Sequence, residues 1–81
     1  MKKELKQRWN LISATLDIAG YKLPANIYKQ LRKKMDKLLF VIENRDMSNG
    51  TRWEKTCDEL TAISDKLREQ RLKYQEVMND R

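Results

Sequence analysis

The chain has 81 residues, 37% of them charged and 40% apolar, and carries a formal net charge of +6. That length bounds it to one domain near the lower limit for a single hydrophobic core, burying only about 60% of the surface its unfolded form exposes. With no histidine and one cysteine, Cys57, it lacks the commonest general base and metal ligand and has no internal disulfide.

The opening stretch MKKELKQRWNLISATLDIAG holds basic residues but no unbroken apolar core, so no signal peptide is expected. The longest apolar run, LLFVI, is far too short to span a bilayer. Together with the sparse cysteine usage, this gives the expectation of a soluble, cytoplasmic protein with no membrane association. Helix breakers fall at two places, AGYKLPAN and MSNGTRW, and divide the chain into helices near 2–19, 24–44 and 51–79.

In the first helix, Leu5, Trp9, Ile12, Leu16 and Ala19 fall on one narrow apolar stripe. Leu11, Ala14, Ile18 and Tyr21 form a second apolar set on nearly the opposite face, the pattern of a helix packed on two sides. Lys2, Lys3, Lys6 and Arg8 open the helix, where positive charge opposes the macrodipole. Gly20 is expected to close it in the left-handed conformation, and Pro24 to open the next helix.

The second helix carries Ile27, Leu31, Met35, Leu38 and Ile42 as its core stripe. Between Lys29 and Lys37 it gathers five cations: Lys29, Arg32, Lys33, Lys34 and Lys37. Lysines four residues apart repel on an isolated helix by a few tenths of a kcal/mol, a cost that a polyanion reverses. Phe40 falls on the basic row, where an exposed ring can stack on an unpaired base. A solvated outer face gives the same charge pattern, so the run fits either role.

The third helix is expected to begin with a capping box formed by Thr51 and Glu54. Its stripe runs through Trp53, Cys57, Leu60, Leu67, Tyr74 and Met78, widened by Ile63 and Val77 and interrupted at Ser64 and Arg71. At 1.5 Å per residue it spans roughly 43 Å, so its end, from about Leu67 to Met78, should overhang the shorter helices. Cys57 reads as a buried apolar residue rather than a nucleophile.

The matched stripes and short loops predict an all-α fold: a small antiparallel three-helix bundle with a long C-terminal helix, one domain over residues 1–81. The second face of the first helix and the apolar overhang predict a homodimer or partner interface of Leu11, Ile18, Tyr21, Arg71, Leu72, Tyr74 and Met78.

Residues 1–44 hold ten Lys/Arg and four Asp/Glu, a balance of +6, whereas residues 45–81 hold eight of each. No Gly-rich phosphate loop, catalytic constellation or metal-ligand spacing occurs, and no enzyme activity, cofactor or metal is expected. The leading function is nucleic-acid binding, RNA slightly ahead of DNA, in a regulatory or accessory role. Lys2, Lys3, Lys6, Lys29, Arg32, Lys33, Lys34 and Lys37 would engage phosphates, with Phe40 stacking. The alternative is a small inhibitor, adaptor or immunity-type protein that meets an acidic protein surface.

Overall fold

The structure is a computed structural model that describes the backbone of residues 2–79 and the side chains of residues 2–73 apart from Tyr21. The expectations placed on Tyr21, Tyr74, Val77 and Met78 therefore lie outside the described side chains. Among the described residues every regular element is helical: α1 (Lys2–Ala19), a 3₁₀ turn (Gly20–Lys22), α2 (Ala25–Asn44) and α3 (Gly50–Asn79). No helix is long and apolar enough to cross a membrane among these residues.

The three helices bury one shared core, with Leu5, Leu16, Met35, Ile42 and Leu60 at its centre. Each fully buried side chain of this kind stabilises the fold by about 1.5–3 kcal/mol. Leu23 and Met47, in the two connections, are buried as well and close the loops onto the core. Between α1 and α2 the side-chain pairs are Lys2 and Lys6 with Glu43, Trp9 with Met35, Ser13 and Asp17 with Arg32, and Asp17 with Tyr28. The Trp9 indole N–H donates to the Met35 carbonyl at 2.6 Å, which satisfies the one polar group of an otherwise apolar buried ring.

Three local expectations are corrected. Gly20 has no positive φ; a Cβ there would lie 2.7 Å from Tyr28 Cε2, so close approach rather than handedness excludes a side chain. Pro24 is the N-cap of α2, one residue before its first turn. The capping box does not form, because α3 begins one residue early at Gly50 and places Thr51 inside it. Asn49 caps instead: its Oδ1 accepts the Arg52 N–H at 3.1 Å and its carbonyl accepts the Trp53 N–H at 3.0 Å. Just before it, Asp46 accepts from the backbone and hydroxyl of Ser48. These two bonds hold its carboxyl below the usual value of 3.8.

The buried face of α3 is also rotated from the expected stripe. Thr56, Leu60, Ile63 and Leu67 are buried, while Trp53 and Cys57 are half-buried at its edge. A helix that packs on two neighbours at once must centre its buried arc between them. The Thr56 hydroxyl tolerates burial because it donates to the Arg52 carbonyl at 2.8 Å. Leu67 belongs to the core rather than an overhang, and Arg71 still lines a hollow with Thr15, Ile18, Ala19 and Lys22.

Candidate nucleic-acid interface

The amphipathic stripe of α2 turns Leu31, Met35, Leu38 and Ile42 inward and so distributes its five cations over three directions. Lys29 and Lys33 stay on the exposed outer face with Phe40, a residue 57% exposed. Arg32 turns toward α1. Its guanidinium donates to Ser13 Oγ at 2.8 Å, lies 3.3 Å from Asp17 and 3.7 Å from Asp36, and sits 5.9 Å from the Trp9 ring centroid. These partners make it a clamp between helices. Lys34 and Lys37 turn toward α3.

There they line a hollow of about 520 Å³ whose floor is Ile27, Leu31, Leu38 and Ile63, with Lys66 on the α3 side. A second hollow of about 510 Å³ continues it past Lys37 and Leu38 to Val41, Arg45, Arg52 and Lys55. The two form one groove between α2 and α3. Its rims carry Lys34, Lys37, Arg45, Arg52, Lys55 and Lys66 against a single carboxylate, Glu59. Lys34, Lys37, Arg45, Lys55 and Lys66 make no ion pair with any described residue. Arg52 donates to the Asp46 carbonyl at 3.0 Å.

From Ile27 to Arg45 the α2 rim runs for about 27 Å at 1.5 Å per residue. That is room for about eight phosphates of one stacked strand. The floor is apolar and the walls are two packed helices, whose axes stand about 8–10 Å apart. Helices about 10–12 Å wide interlock at that spacing, so the groove is a shallow one with its cations along the two rims.

Of the α1 cations, Lys2 donates to the Glu43 carbonyl at 2.7 Å and Lys6 lies 3.4 Å from the Glu43 carboxylate, so both sit at the C-terminal end of α2. Charges that oppose the dipole of α1 therefore complement that of α2. Lys3 is exposed beside them. Arg45, Arg52, Lys55 and Lys66 were not among the residues expected from sequence. Their signal is present there: Lys55, Glu59, Ala62 and Lys66 are spaced four, three and four apart and share one edge of α3.

On the other side of the molecule, Leu11 is 69% and Ile18 75% exposed, and Leu72 is 52% exposed. Arg71 is exposed and makes no ion pair with a described residue. Among the described residues no group of Cys, Asp and Glu is placed to hold a metal ion. Compared with family models, curated proteins and solved structures, the chain has no match.

Proposed function

We propose that the protein binds single-stranded or structured RNA, ahead of duplex DNA, in a regulatory or accessory role, along the groove between α2 and α3. One observation carries this reading: six cations face one carboxylate over an apolar floor, and none of the six makes an ion pair with a described residue. Unpaired cations along a groove repel one another, and a phosphate chain turns that cost into attraction. Phe40, with Lys29 and Lys33 beside it on the outer face of α2, offers a stacking platform next to the groove. The reading takes the bundle as antiparallel, which the order of the α1–α2 side-chain pairs supports.

The test is binding of a labelled mixed-sequence RNA and a matching DNA duplex across a salt series. Log–log slopes near −0.7 per neutralised phosphate on the single strand give roughly −4 for six contacts. The duplex binds more weakly. Micromolar or weaker binding of both at low salt removes the proposal.

A second reading, a protein-binding inhibitor or adaptor that forms a homodimer or meets a partner, is supported by the exposed Leu11 and Ile18. Under it, Leu11→Lys with Ile18→Lys abolishes the complex, and charge reversal in the groove leaves it intact.

A further inference from the structure

A plain phosphate track does not account for Glu59. It stands alone among six cations, and with Lys37 and Leu38 it lines both hollows, so these three residues form the waist where the hollows meet. A carboxylate at that point repels the phosphates that the rims attract. The ordinary role for such a residue is an ion pair along its own helix, and Lys55 sits one turn before it. Yet Glu59 is exposed and makes no ion pair with Lys55, Lys37, Lys66 or any other described residue.

We infer that Glu59 is a specificity-determining residue that reads the edge of an unpaired base held at the waist, favouring guanine and discriminating against uracil. The inference rests on the nucleic-acid reading above and deepens it. A strand that follows the groove with its phosphates on the rims turns its bases toward the seam between α2 and α3, where Leu38 is only 5% exposed. A base at the waist therefore rests over the aliphatic stem of Lys37 and presents its edge to the α3 wall, where Glu59 stands.

An ionised carboxylate only accepts hydrogen bonds. Guanine offers it two adjacent donors, N1–H and N2–H, which match its two oxygens in a bidentate, charge-assisted pair. Cytosine and adenine offer one exocyclic amino group. Uracil flanks its single N–H with two carbonyl oxygens, and these meet the carboxylate with repulsion. Lys37, across the waist, is placed to take the phosphate of the same nucleotide. It also offsets the charge of Glu59, so the groove gains discrimination with little loss of overall attraction.

The full chain is tested with two labelled RNA dodecamers, one of uridine alone and one with guanosine at every fourth position, by fluorescence anisotropy at two salt concentrations. The wild-type protein binds the guanosine-containing strand roughly tenfold more tightly, the scale of one good bidentate base contact. Glu59→Gln abolishes that preference and binds oligouridine at least as tightly as the wild type, with an unchanged salt slope. Lys37→Gln weakens both strands equally and preserves their ratio. Both positions are exposed, and matching helical circular dichroism shows that the variants are folded. Equal affinity of the wild type for the two strands, with a steep salt slope, overturns the inference alone, as does a Glu59→Gln protein that keeps the preference. No salt-sensitive binding of either strand overturns it together with the function on which it rests.

Discussion

A Cβ built on Gly20 meets two carbons of the Tyr28 ring, Cε2 at 2.7 Å and Cδ2 at 2.9 Å, because the 3₁₀ turn brings the chain back under the start of α2. Replacing this glycine by alanine has two opposing effects. It restricts the unfolded chain, which stabilises by about 0.4–1 kcal/mol. It also forces a half-buried aromatic ring aside, at about 1–3 kcal/mol. The overlap wins, since both ring contacts are closer than real Cβ atoms approach. Gly20→Ala is therefore expected to destabilise by about 1–2 kcal/mol, read as a fall of several degrees in Tm. In a Tyr28→Ala background the same change becomes neutral or stabilising; an undiminished cost there rules out the ring as the cause. The sequence marks Gly20 as a break but not why, because the ring it meets lies eight positions on and reaches it only once the turn has formed. Arg32 is a similar case. Its partners Ser13 and Asp17 lie on another helix, so as a string of letters it is indistinguishable from the lysines beside it.

At the scale of elements, the start of α3 separates two capping schemes that look equally good in MSNGTRWE. Thr51 with Glu54 makes a capping box; Asn49 with the Arg52 N–H makes a simple N-cap two residues earlier. The structure selects Asn49 because Asp46 and Ser48 already fold the preceding residues into a hydrogen-bonded turn that delivers Asn49 to the helix start. Asn49→Ala is expected to cost about 1 kcal/mol in thermal unfolding. Thr51→Ala should change stability by no more than a few tenths, because Thr51 is exposed inside the first turn. The reverse order of costs would restore the capping box. The boundaries of all three helices were legible to within a residue, since Gly and Pro punctuate them. The rotation of α3 about its own axis was not. A single apolar stripe cannot tell whether a helix faces one neighbour or two, and Thr56 carries no apolar signal at all. Ser13, buried against Arg32, was hidden for the same reason.

Over the whole molecule, the packing of the helices decides where positive charge gathers. Summed along the chain, residues 45–81 are neutral and look irrelevant. Around α3 they are not neutral: Glu54, Asp58, Asp65 and Glu69, spaced four, seven and four, share one exposed side, while Lys55 and Lys66 share the edge that meets α2. Only the packing of α2 beside α3 joins that edge to Lys34 and Lys37, which is why the basic run was visible in sequence and the groove was not. The consequence is a contrast between two sets of lysines that composition treats as equivalent. Reversing three groove charges, Lys34→Glu with Lys37→Glu and Lys66→Glu, removes about three phosphate contacts and adds repulsion. It should lower single-strand affinity at least a hundredfold near 50 mM salt and flatten the log–log slope by about 2. Reversing the outer pair, Lys29→Glu with Lys33→Glu, leaves the groove intact and should cost roughly tenfold or less, with a slope change below that of the groove variant. Equal losses from the two sets would mean that the protein attracts its partner as a diffuse positive body, with no strand lying between the helices. A larger loss from the outer pair would move the site to Lys29, Lys33 and Phe40, on the open face of α2.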